Sequence, residues 1–146
     1  MELSAYDLAQ RFIGLKEVSG AVSNPQILAM LRLDETWPGS DEVPWCSAFV
    51  NYVAWLLRLP RSKSLAARSW LEVGTVVPGT GLIGPKVYDA QQGYDVVVLS
   101  RGNAGHVGFF SSFEGDRVWL LGGNQDDSVS LAQFEDSRIL GVRRLA

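Results

Sequence analysis

The sequence predicts an α+β domain, with helices in its first half and an antiparallel sheet in its second. Two periodicities and one change of composition carry that reading. Up to Gly74 the apolar residues recur at helical spacing, and after Gly93 they fall into short β-branched or aromatic runs bounded by turn residues. Between them, Thr75 to Gly93 is rich in Gly and Pro and reads as a long loop with room for a short strand. Helices first and a meander of strands afterwards imply helices packed on one face of the sheet.

Ser4 with Asp7 reads as an N-terminal cap, followed at helical spacing by Leu8, Phe12 and Leu15. Asn24-Pro25 supplies a cap and first position for a second helix through Ile27, Leu28, Leu31 and Leu33. A third helix begins near Pro44 to Cys46 and runs through Ala48, Phe49, Val53, Leu56 and Leu57. Ser64 to Val73, closed by Gly74, is a short fourth. The predicted strands are Asp95–Leu99, His106–Phe110, Arg117–Leu121 and Ile139–Arg143.

With no linker, repeat or low-complexity tract, residues 1–146 read as a single domain. Hydrophobic residues at 47% and charged residues at 20% exclude a disordered chain. The net charge of -3 argues against nucleic acid held by phosphate contacts. One Cys and one His rule out an internal disulfide and a soft-ligand zinc site. Asp126-Asp127 offers too few carboxylates for calcium, so no metal and no cofactor are expected. No basic, apolar leader opens the sequence, and no apolar run could span a bilayer, which predicts a cytoplasmic monomer without membrane association. Gly79-Thr80-Gly81-Leu82-Ile83-Gly84 matches the dinucleotide fingerprint, but Pro85 follows directly and no helix opens there, so these are loop glycines.

Chemistry concentrates at two residues. Cys46 falls in the first turn of the third helix, where the macrodipole favours a thiolate, although a lone Cys is also a common inert core residue. His106 opens a strand. A hairpin centred on Gly115 sets Phe113 opposite Arg117 and His106 opposite Asn124, with Gly108 opposite Gly122 leaving space beside the ring. In that register Cys46 is a nucleophile, His106 its general base and acid, and Asn124 the group that orients the imidazole. Trp37, Trp45 and Trp70 are candidates either for an aromatic groove or for the core, and Asp41 and Glu42 either for substrate amines or for a solvated loop.

Three blocks, Val43-Pro44-Trp45-Cys46-Ser47-Ala48-Phe49-Val50-Asn51, Gly105-His106-Val107-Gly108-Phe109 and Leu121-Gly122-Gly123-Asn124-Gln125, resemble the signatures of the NlpC/P60 and CHAP superfamily of papain-like peptidoglycan hydrolases, in particular small phage endolysins. Lys16-Glu17-Val18, Asn24-Pro25, Ala67-Arg68-Ser69-Trp70-Leu71 and Leu140-Gly141-Val142-Arg143-Arg144 extend the likeness over nearly the whole chain. The resemblance implies a papain-like fold and amide hydrolysis in the stem peptide of bacterial peptidoglycan, after release through a membrane pore. It puts the catalytic roles on Cys46, His106 and Asn124, within a single catalytic domain, residues 1–146, that has no separate wall-binding domain. Trp37, Asp41, Trp45 and Gln125 are read beside them as candidate substrate contacts. Two positions depart from the pattern: Gly122 stands where many CHAP members carry Glu, and Trp45 where NlpC/P60 members carry Asp. An injected amidase toxin with the same chemistry, and a non-catalytic wall-binding module, are the alternatives.

Overall fold

A computed structural model describes residues 2–18, 23–36, 38, 44–80 and 87–146. Three helices come first. Ser4 caps α1 (Ala5–Gln10) in a reciprocal box with Asp7, and Asn24 caps α2 (Pro25–Leu31), whose Pro25 lies at its start. The 11-residue α3 (Cys46–Leu56) begins at the thiol. The expected fourth helix is a 3₁₀ segment, Ala67–Glu72. The first helix is shorter than its apolar spacing suggests: Phe12 and Leu15 lie beyond its end, yet both still pack against the core.

Six strands form one antiparallel sheet in the order β1-β8-β4-β5-β6-β7, comprising β1 (Thr75–Val76), β4 (Asp95–Arg101), β5 (Ala104–Glu114), β6 (Arg117–Gln125), β7 (Ser128–Glu135) and β8 (Ile139–Arg144). The molecule is thus α+β, as its sequence predicts. Within the expected loop, β2 (Gly79–Thr80) and β3 (Val87–Tyr88) form a separate small ribbon. Strand β7 was not expected: Ser128-Val129-Ser130-Leu131-Ala132-Gln133-Phe134-Glu135 has few β-formers, and its long hydrogen-bonded ladder with β6 holds it as an edge strand.

The sheet has two apolar faces. One, with Val96, Val98, Val107, Phe109 and Leu121, packs against Cys46, Ala48, Phe49 and Val50 of α3 and against α1 and α2. The other gathers Val97, Leu99, Phe110, Val118, Leu120, Ile139 and Val142, with Phe134 at its margin. Because strand side chains alternate, adjacent residues of β5 serve opposite faces.

Two departures from regular pairing shape the site. Near its turn the β5–β6 hairpin pairs Glu114 with Arg117 and Phe113 with Val118, one residue out of the expected register. Gly115, with φ +58, takes the first place of this two-residue turn. An irregularity between Phe110 and Ser112 then restores the expected pairing at Phe110–Leu120 and Phe109–Leu121. A second irregularity, between Gly122 and Gln125, inserts a residue into β6, with Asn124 at φ 57. Asp126 and Asp127 follow with φ 54 and 57, which makes them a type I′ hairpin turn joining β6 to β7.

Candidate active site

The first turn of α3 enters the helix-side core. Its N-cap residue, Trp45, has no side-chain oxygen and makes no side-chain cap hydrogen bond. Trp45 itself is 0% exposed and donates from Nε1 to Glu17 Oε1 at 2.6 Å. This corrects its assignment as a substrate contact: the indole fills the core, and a Cβ on Gly123 would come within 2.6 Å of its ring. Trp70 is likewise fully buried and donates to Ser47 Oγ at 2.9 Å. Ser47 in turn donates to Ser64 O at 2.6 Å, and Asn51 reaches the same carbonyl at 3.2 Å. This buried polar network ties the start of α3 to the segment before the 3₁₀ turn.

Cys46 is 6% exposed. Burial raises its pKa above 9.0, because the thiolate would lose hydration. Backbone N–H groups of Val107, Ser47 and Cys46, together with the charge of Arg101, oppose that rise without overcoming it. The sulfur therefore rests against the peptide unit that joins His106 to Val107.

His106 reaches the same peptide unit from the other face of the sheet. It pairs with Leu99 across β4–β5, and its ring lies 5.2 Å from that of Phe134. The imidazole is 0% exposed. Burial lowers its pKa from 6.5 to about 4, helped by the charges of Arg101 and Arg138 and opposed by the hydrogen bond that the ring donates to Gln125. The ring is neutral at pH 7.

The side chain holding that ring is Gln125, not Asn124. Gln125 Oε1 lies 2.9 Å from His106 Nε2. Its amide nitrogen donates to Leu120 O at 3.1 Å and Ser130 O at 2.7 Å, which fixes the amide orientation because only an N–H can face two carbonyls. Oε1 must then accept, so His106 carries its proton on Nε2 and its lone pair on Nδ1. Nδ1 has no hydrogen-bond partner among the described residues. Gln125 is 5% exposed and enclosed, which also corrects its assignment as a substrate contact.

The extra residue in β6 explains the exchange. An uninterrupted ladder would bring Asn124 opposite His106; the irregularity advances the chain by one position and delivers Gln125 instead. Space for its amide comes from two glycines. A Cβ on Gly122 would lie 2.6 Å from Gln125 Oε1, and one on Gly108 would lie 3.5 Å from it. Gly122-Gly123-Asn124, three residues tolerant of irregular backbone within an apolar strand, is the signal that could have located this bulge.

Cys46, His106 and Gln125 thus converge on one stretch of β5, although no hydrogen bond joins the thiol to the imidazole. Trp37 and Asp41, like Glu42, lie outside the described residues. Among the described residues no group of three His, Cys, Asp or Glu side chains could hold a metal ion, and no helix is long and apolar enough to cross a membrane. No protein-family model matches the chain, and no curated protein matches it.

Proposed function

We propose that the chain is a cysteine amidohydrolase that cleaves an amide bond in the stem peptide of bacterial peptidoglycan, an activity of endolysin type. One observation carries the chemistry. The chain's only thiol and only imidazole flank a single peptide unit, and the imidazole atom left without a partner is its basic nitrogen. The three sequence blocks that resemble peptidoglycan hydrolases supply the substrate class.

In this reading His106 Nδ1 takes the proton of Cys46 as the sulfur bonds to the substrate carbonyl carbon. The negative charge moves onto the carbonyl oxygen, stabilised by N–H groups in the first turn of α3, where Trp45 supplies no side-chain cap. As the tetrahedral intermediate collapses, the C–N bond breaks and His106 returns the proton to the leaving amine. Water, deprotonated by His106, then hydrolyses the thioester and restores the thiol. Of the reacting groups Gln125 touches only the imidazole, which makes it a positioning residue: it holds Nε2 in the protonated tautomer and so keeps Nδ1 basic. Because Sγ and the imidazole approach β5 from opposite faces at rest, this transfer requires that part of β5 to rearrange when substrate binds.

The test compares wild type with Cys46→Ser and His106→Ala on purified peptidoglycan, following new free amines by mass spectrometry. Only wild type should release fragments, and the fragments identify the bond, either next to muramic acid or within the stem. Equal release by Cys46→Ser would overturn the nucleophile. Binding without release by wild type would favour the wall-binding module.

A further inference from the structure

The far end of α3 carries a second feature that the chemistry above does not use. A groove of about 810 Å³ is lined by residues of the α3 C-terminus and the segment after it, among them Trp55, Leu56, Arg58, Arg61 and Lys63. Trp55 is 49% exposed there, unlike Trp45 and Trp70, which are fully buried. It lies nine residues beyond Cys46 on the same helix, roughly 14 Å along the axis.

The groove's cations are placed at a conformational cost. Helix α3 ends in a Schellman motif, with Leu59 N–H to Ala54 O at 2.9 Å and Arg58 N–H to Trp55 O at 3.2 Å. That motif needs a left-handed residue, ordinarily Gly, and here it is Arg58 at φ 58. Lys63 repeats the pattern at φ 57. Two positions that glycine would fill without strain both hold an exposed cation lining the same groove as Trp55. Arg61 is already occupied by Asp34, with contacts of 2.8 and 3.2 Å. Arg58 and Lys63 make no ion pair among the described residues.

We propose that this groove is a second binding site for an acidic saccharide polymer, its sugar face on Trp55 and its carboxylates on Arg58 and Lys63. The assignment of that polymer to peptidoglycan rests on the function proposed above. An apolar platform between two unpaired cations suits a ligand with sugar faces and sparse negative charges. A nucleic acid would call for a longer run of phosphate contacts, which a chain of net charge -3 with two unpaired cations here does not offer. A site on α3 remote from Cys46 would hold the polymer while the thiol works through its side chains.

The two strained positions make the test clean, because Arg58→Gly and Lys63→Gly remove charge while relieving backbone strain. In a Cys46→Ser background, co-sedimentation with purified peptidoglycan sacculi should weaken about tenfold in the double glycine variant, and comparably in Trp55→Ala. The melting temperature of the double glycine variant should hold or rise. With Cys46 intact, that variant should cleave a short soluble peptidoglycan fragment at the wild-type rate. Unchanged sedimentation, or no sedimentation of the parent protein, overturns the proposal. So does tighter retention on a single-stranded polynucleotide, or on vesicles of equal phosphatidylcholine and phosphatidylglycerol, than on sacculi. Failure of the hydrolase reading appears separately, as a wild type that binds sacculi and leaves them intact.

Discussion

Replacing Gln125 with Leu, and separately Asn124 with Gly, sets the observed geometry against the one an uninterrupted ladder would produce. Gln125→Leu keeps the volume but removes three hydrogen bonds, to His106 Nε2, Leu120 O and Ser130 O. A buried group that loses its partner costs about 1–3 kcal/mol. The two carbonyls fall at the low end because each has a second lone pair, so the sum is about 3–5 kcal/mol. A domain of this size has about 5–15 kcal/mol to lose and should stay folded in dilute buffer. The catalytic loss should be larger in proportion, at least about a hundredfold in kcat, because the ring is no longer held with Nδ1 basic. Since the bond to Gln125 raises the pKa of His106, its removal should also move the acid limb of the pH–rate profile to lower pH. Asn124→Gly relieves a left-handed residue at φ 57 and should be neutral or stabilising by about 0.5 kcal/mol, with activity within about threefold. Urea unfolding and fragment release from purified peptidoglycan measure both variants. Loss of activity in Asn124→Gly alongside an active Gln125→Leu would refute the assignment.

Further expectations follow from the burial of the site. His106 has a folded pKa of about 4 against 6.5 when exposed, so the unfolded chain binds more protons between those values. Its contribution, about 3 kcal/mol at most, is present above pH 6.5 and lost as pH falls toward 4; His106→Gln should flatten that part of the stability curve measured by urea unfolding. Cys46, raised above 9.0, should react with iodoacetamide at a rate that climbs with pH without levelling near neutrality, and a plateau at neutral pH would reveal a low-pKa thiolate and contradict this. Gly122→Ala should push on Gln125 Oε1 and cut activity with modest loss of stability, whereas Gly123→Ala, with its Cβ 2.6 Å from the Trp45 ring and 2.9 Å from Phe49, should unfold at much lower urea. At the sheet's other end, Arg144→Met leaves Asp95 buried without its bidentate partner, bonded at 2.7 and 2.8 Å, and should cost about 2–3 kcal/mol, discounted because the arginine is one-third exposed.

What could be read from the sequence depended on how local its cause was. Helix starts were legible because Ser4, Asn24-Pro25 and Trp45-Cys46 act within one turn, and the structure begins α1, α2 and α3 there. The four strands rich in Val, Leu and Phe were legible for the same reason. Strand β7 was not, since Ser, Ala, Gln and Glu become extended only by pairing with β6, a contact between segments. The ring's partner was missed through a one-residue insertion, the smallest error a strand admits and one that reverses which side chain faces the site. Trp45 was ambiguous because an indole beside a Cys suits a groove or a core equally, and the bond to distant Glu17 decides for the core.

The two pKa values also constrain how such a site could work. Moving the proton from a thiol above 9.0 to an imidazole near 4 crosses at least five pH units, about 7 kcal/mol, so the resting pair is neutral rather than thiolate and imidazolium. The thiolate therefore need not exist before substrate arrives. Its charge is transient, passing to the carbonyl oxygen as the C–S bond forms, and in this reading that oxygen meets N–H groups at the start of α3, where Trp45 supplies no side-chain cap. A small alkylating agent samples only the costly resting thiolate, whereas a substrate carbonyl brings its own acceptor for the charge. The ratio of amide hydrolysis to alkylation, compared between Ser47→Pro and Ser47→Ala, which share the loss of the hydroxyl bonded to Trp70 and Ser64 and differ in the N–H group, would then measure how much of that cost the helix N-terminus returns.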